Sequence, residues 1–292
     1  MAAYTTIDDP SAYFKVQLYT GNYSTNAITF NDTDTTMSPD FIITKDRSDG
    51  SWFITADTVR GANKIINTNS DAAETTETTY VNSFDSNGFT LGANNGNNED
   101  GEANVAWCWK ESATAGFDIV SWTGDGSAGT KSHNLSAVPK VMIVKERSHA
   151  TNWAVYHVGT GNTNFLKLND TAAVEDTDNW NDTDPTSSVF SLGGGGQTNT
   201  SSRTYINYVF ANVQGFSRFG KYTGNGNADG TFIYTGFRPA MVMFKQSSAA
   251  GEKWYLFDST RNTFNLANEL LMPSDGLAES VNTSGAPIDI LS

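Results

Sequence analysis

Few residues in this chain have the types and spacing needed for chemistry. Its three histidines are His133, His149 and His157. His133 and His157 sit on separate predicted strands, so a shared metal would depend on the fold; the expectation is a satisfied or solvent-facing imidazole at each. The sequence has no G-x-S-x-G, H-E-x-x-H, P-loop or C-x-x-C pattern. Gly193 to Gly196 follows a predicted strand and leads into polar residues, which reads as a hairpin tip rather than a phosphate cradle.

Carboxylates are more plentiful. Asp32 with Asp34, Asp176 with Asp178, and Asp182 with Asp184 lie at i, i+2 on predicted loops, where their oxygens could hold calcium. These loops lack the spaced glycine and terminal glutamate of an EF-hand, so solvated acidic turns are expected and no cofactor is assigned. Glycosidase chemistry needs two carboxylates about 5 to 10 Å apart, which no spacing here specifies.

Seven tryptophans raise the question of sugar binding, because indole faces stack on sugar rings. Trp52, Trp153 and Trp254 recur at one interval, which predicts core anchors. Trp180 instead lies in the polar loop Asp176-Thr177-Asp178-Asn179-Trp180-Asn181-Asp182. Trp180, with Asp178, Asn181 and Asp182 around it, is the candidate glycan contact.

The elements that position these residues follow an internal repeat. Tyr19-Thr20-Gly21, Trp122-Thr123-Gly124 and Tyr222-Thr223-Gly224 share a pattern. Pro39, Pro139 and Pro239 each open an apolar run closed by Lys45, Lys145 and Lys245. A period near 100 residues suits a whole small β-domain and is too long for a solenoid turn. The reading is an all-β chain of three tandem antiparallel β-sandwich repeats, jelly-roll or lectin-like. After a lead over 1–13, repeat 1 covers 14–115, repeat 2 covers 116–215 and repeat 3 covers 216–292. Short linkers near 112–116 and 213–215 predict a stiff stacked rod.

Strands of repeat 1 are predicted near 14–20, 27–30, 41–46, 51–56, 62–66, 88–92 and 103–110, divided by Gly, Asn, Asp and Ser clusters. Alternation puts Val105, Trp107 and Trp109 on one face of the last strand and Cys108 on the other. The unbroken runs Phe41-Ile42-Ile43 and Val141-Met142-Ile143-Val144 predict strands covered on both faces. A helix is conceivable only over Asn262 to Leu271. Val189, Phe190 and Ser191 match Ile290, Leu291 and Ser292 at an interval of 101, so repeat 3 stops as its penultimate strand begins. The expectation is a longer product beyond Ser292, or a neighbouring chain donating the missing strand.

The composition narrows the partners. With 18 Lys+Arg against 32 Asp+Glu, the net charge of −14 repels phosphate backbones and anionic membranes. One cysteine, Cys108, excludes an internal disulfide framework, and MAAYTTIDDP has neither a basic nor an apolar leader segment. No stretch approaches the ~18 apolar residues of a membrane-spanning helix.

Several stretches taken together carry a family resemblance: AAYTTIDDPSAYFKVQLYTGN, YVNSFDSNGFTLG, VAWCWKES, FDIVSWTGDGSAG and FSRFGKYTGNGNADGTFIYTGFRPAMVMFK. The chain resembles the β-rich repeats of tail-associated structural proteins of marine tailed phages, including those infecting cyanobacteria. The resemblance implies a non-enzymatic virion component, made in the host cytoplasm and exposed on the released particle, in a tail fibre or appendage that mediates host adsorption. Its implied partners are other tail proteins and a host-surface glycan; the rod-like stacking of the repeats adds the expectation of a homo-oligomer, a trimer favoured. The resemblance supplies no site residue. Members of that family finish the last repeat with two more strands, which this sequence does not contain. The alternative is a carbohydrate-binding β-sandwich array of a secreted glycan-active protein.

Overall fold

A computed structural model describes residues 5–31, 35–227, 229–281 and 287–291. Asp32, Asp34 and Ser292 lie outside them. After a short 3-10 turn over Pro10–Ala12, capped by the Asp9 carboxylate accepting from the Ser11 N–H, unit 1 comprises β1 (Phe14–Thr20), β2 (Asn26–Thr29), β3 (Phe41–Asp46), β4 (Ile54–Asp57), β5 (Lys64–Asn67), β6 (Thr75–Thr76), β7 (Val81–Asp85), β8 (Gly88–Leu91) and β9 (Ala103–Trp109). Unit 2 comprises β10 (Phe117–Thr123), β11 (Gly129–Ser132), β12 (Val141–Glu146), β13 (Ala154–His157), β14 (Asn164–Lys167), β15 (Glu175–Asp176), β16 (Val189–Leu192) and β17 (Thr204–Phe210). A third stretch holds β18 (Met241–Phe244), β19 (Tyr255–Asp258), β20 (Glu269–Leu270) and β21 (Ser280–Val281). The protein is all-β, its strands paired antiparallel throughout.

Units 1 and 2 are built alike. Their large sheets run β1-β9-β3-β4-β5-β6 and β10-β17-β12-β13-β14-β15, and smaller sheets β2-β8-β7 and β11-β16 accompany them. Among the described residues the third stretch forms two-stranded sheets of β18 with β19 and β20 with β21, joined by single bridges Leu256–Leu271 and Ala267–Ile288. The reason lies in the topology. In units 1 and 2 the first two strands pair with the last two, β1 with β9 and β2 with β8. Residues 216–240 have no such partners among the described residues, and they form no strand. The helix conceivable over Asn262 to Leu271 does not form; Glu269–Leu270 is a strand there.

The aromatic-Thr-Gly pattern has a steric cause. A Cβ on Gly21 would stand 1.9 Å from the Glu99 carbonyl oxygen, and one on Gly124 would stand 2.2 Å from that of Thr200. Gly224, with no returning strand beside it, would meet nothing within 4 Å.

Each large sheet feeds two cores. In unit 1, Ile42, Ala106 and Cys108 face the small sheet and pack with Ile28, Phe89 and Leu91. Their alternate neighbours Phe41, Ile43, Trp107 and Trp109 face the other way, into clusters shared between units. The Phe41 ring stacks on Tyr208 of unit 2 at 4.0 Å between centroids, and Trp107 and Ile43 pack with Leu256 and Met243 of the third stretch. β3 is thus covered on both faces, as its unbroken apolar run predicts.

These shared cores close the chain into a ring instead of the expected rod. The Glu74 N–H bonds to the Arg147 carbonyl, that of Val174 to Ser247, and that of Glu279 back to Arg47. The same junction therefore joins unit 1 to unit 2, unit 2 to the third stretch, and the third stretch to unit 1. The cause is the leftover apolar face of each large sheet. A rod would leave the Trp107 and Trp109 face open to water, whereas a ring buries these faces against each other at roughly 25 cal/mol per Å² of apolar surface.

A second correction concerns the tryptophans. Strand alignment places Phe53, not Trp52, where Trp153 and Trp254 stand, since each directly precedes β4, β13 or β19. Phe53, Trp153 and Trp254 are buried, whereas Trp52 is 49% exposed. A one-residue shift reverses the side of a strand on which a side chain lies, so the recurring Trp spacing misassigned Trp52.

Candidate functional site

The loop expected to contact a ligand turns its aromatic inward. Trp180 is 0% exposed. Its indole N–H donates to the Asn164 carbonyl at 2.9 Å, and its ring meets Tyr156 edge-on at 5.8 Å. Trp180 belongs to the core of unit 2 with Phe165, Phe190 and Leu192, so it cannot stack on a sugar. Asp178, Asn181 and Asp182 remain exposed around it. The Asn181 N–H bonds to the Asp178 carbonyl at 2.9 Å, and Asn181 and Asp182 adopt left-handed φ of 50° and 45°. Small polar residues tolerate this conformation, so the polar ring is explained by a tight turn that seats Trp180.

The histidines behave as satisfied or surface groups. His133 accepts from the Leu135 N–H and contacts the Thr186 carbonyl oxygen at 3.1 Å. Exposed His149 lies 3.0 Å from Glu146. His157 accepts from the Gly159 N–H, and burial lowers its pKa. Among the described residues, no three His, Cys, Asp or Glu side chains are grouped to hold a metal ion. No helix among them is long and apolar enough to cross a membrane.

Buried charge is concentrated at the seams of the ring. Asp57 and Arg60 form an ion pair with no side-chain exposure, and the Tyr208 hydroxyl of unit 2 donates to Asp57 at 2.7 Å. Asp258 and Arg261 repeat the device at 2.6 Å, with the Trp107 indole N–H of unit 1 donating to Asp258 at 3.1 Å. Arg261 also lies over the Trp107 ring, 5.5 Å from its centroid. Trp153 donates across its seam to the Asn67 and Ser70 carbonyls, and Trp254 across the next to that of Lys167. Of the recurring lysines, Lys145 and Lys245 reach across the same seams, Lys245 to the Asp170 carbonyl at 3.4 Å. Lys145 donates to the carbonyls of Asp71, Glu146 and Thr151, and burial pulls its pKa down to about 8. Lys45 is held near the same value by burial. Sequence reasoning missed Asp57-x-x-Arg60 and Asp258-x-x-Arg261, although their recurrence 201 residues apart was available to it.

A cluster of chemistry-bearing groups in unit 1 opens to solvent. Trp52, Ile65, Asn67, Thr75, Glu77 and Tyr80 line a cavity of about 230 Å³. It opens beside β5 and β6.

A family profile described as Domain of unknown function (DUF7483) matches residues 9–292. The chain therefore belongs to that family. No curated protein and no solved structure matches it.

Proposed function

We propose that this DUF7483 chain is a structural component of a tailed-phage virion, part of the fibre or tail appendage that contacts the host, with no catalytic step of its own. The observation that supports this reading is the closed ring. Three stretches of one polypeptide lock together through buried ion pairs and indole hydrogen bonds, a construction that resists deformation and leaves hairpin tips and loops as the outward surface. Such a body suits an exposed mechanical part. Its proposed partners are other tail proteins and further copies of itself. The outer edge of β18, which no described strand pairs, offers them strand addition.

The second reading, a carbohydrate-binding array of a secreted glycan-active protein, is favoured by the half-exposed Trp52 beside Tyr80. Mass spectrometry and immunogold labelling of purified particles separate the two. Recovery at fixed ratio to tail proteins, with label on the tail, supports the virion reading. Recovery only in the soluble fraction, together with glycan-cleaving activity, overturns it.

A further inference from the structure

We propose that the unit 1 cavity bounded by Trp52 and Tyr80 is a binding subsite for one neutral hexose ring. This deepens the host-contact reading and rests on it only for the source of the sugar; binding itself is tested independently of where the chain resides.

Comparison with unit 2 shows how the cavity arises. At the aligned positions of β5 and β14, Ile65 replaces the larger Phe165 and Asn67 replaces Lys167; at those of β6 and β15, Thr75 replaces Glu175. In unit 2 the Lys167 ammonium donates to Glu175 at 2.7 Å, bridging β14 to β15, and Trp180 is buried against Asn164 and Phe165. Unit 1 has neither the ion pair nor the enclosed tryptophan there, and a cavity remains.

The lining suits a sugar. Trp52, 49% exposed, and the half-buried Tyr80 present amphipathic rings of the kind that stack on the C–H face of a pyranose. Asn67, Thr75 and Glu77 supply amide, hydroxyl and carboxylate groups for sugar hydroxyls. The Asn67 side-chain oxygen is buried with no hydrogen-bond partner among the described residues, an unmet acceptor in the cavity wall. A volume of about 230 Å³ falls below the ~300 Å³ where drug-sized pockets begin, which fits a single ring. Glu77 at the site and the net charge of −14 disfavour sialic and uronic acids, leaving neutral hexoses and N-acetylhexosamines.

The test uses the full chain, indole ¹H–¹⁵N NMR and four probes: the methyl glycosides of glucose, galactose and mannose, and N-acetylglucosamine. At least one probe should shift the Trp52 indole resonance saturably and show saturation transfer. Two variants graft residues that unit 2 already accommodates: Trp52→Asn (as Asn152), and Asn67→Lys with Thr75→Glu (as Lys167 and Glu175). Each should weaken binding at least about tenfold while the far-UV circular dichroism stays unchanged. If no probe moves the Trp52 resonance at high millimolar concentration, or if binding persists undiminished in both folded variants, the proposal fails.

Discussion

Trp180 is enclosed by Tyr156, Phe165 and Phe190, so Trp180→Ala opens a large void in the core of unit 2. The expected loss is about 3–5 kcal/mol by urea denaturation. Trp52→Ala, at a half-exposed position, should change stability by no more than about 0.5 kcal/mol in the same measurement. Glu111 gives a pH signature. Burial, reinforced by a hydrogen bond to Asp118 and by that group's charge, pushes its carboxyl up to about 7. The folded state therefore holds a proton that the unfolded chain releases near 4.3. Stability from this group is complete below that value and is lost as pH rises through 7. Glu111→Gln should flatten the stability profile between about pH 4.5 and 7 and should unfold at higher temperature than the parent at pH 8. An unchanged slope in the variant would refute this assignment. At this scale sequence reading faltered at Trp180, whose polar neighbours form the turn that buries it, and at Trp52. Trp52 and Phe53 are neighbours, both large and aromatic, and only the strand boundary decides which points inward.

Among the elements, β1 and β9 form where alternation and turn residues predict them and β3 where its unbroken apolar run does, because such patterning is local. β6 and β7 were not predicted. β6 has two exposed threonines and β7 carries a register shift between Val81 and Ser83, so neither shows clean alternation. The loss of strands over 216–240 was also hidden, because strand formation there depends on residues far along the chain. The turn after β4 carries its own prediction. Asp57→Asn removes the charge that Arg60 and Tyr208 both face, leaving the buried guanidinium only the more distant Glu74 carboxylate, at 3.4 Å, as a counter-charge. Breaking one partner of such a pair costs about 3–5 kcal/mol, and thermal unfolding should fall accordingly. His157 occupies the matching place in unit 2, at the end of β13.

For the whole molecule, ring closure sets the shape. A compact body of 292 residues has a radius of gyration of about 19 Å, and small-angle X-ray scattering should return that value. A rod of units placed end to end would give a distinctly larger one. Arg47→Ala removes the bidentate contact with Glu279 that ties the third stretch to unit 1. It should open that seam, seen as faster hydrogen exchange at the Glu279 amide, which donates to the carbonyl of position 47, with the unit 2 amides unaffected. Short linkers are as compatible with a ring as with a rod, so the sequence did not decide between them; the leftover aromatic faces did. Because the three positions around the ring belong to one polypeptide, each is free to diverge, as Phe53, Trp153 and Trp254 have done at one position. The Trp52 cavity exists in unit 1, while the same place in unit 2 is filled by Trp180, Lys167 and Glu175. Unlike a homotrimer of identical subunits, this ring displays the site once per chain, so its valency is one and any gain from multipoint attachment must come from the copy number of the chain on the particle.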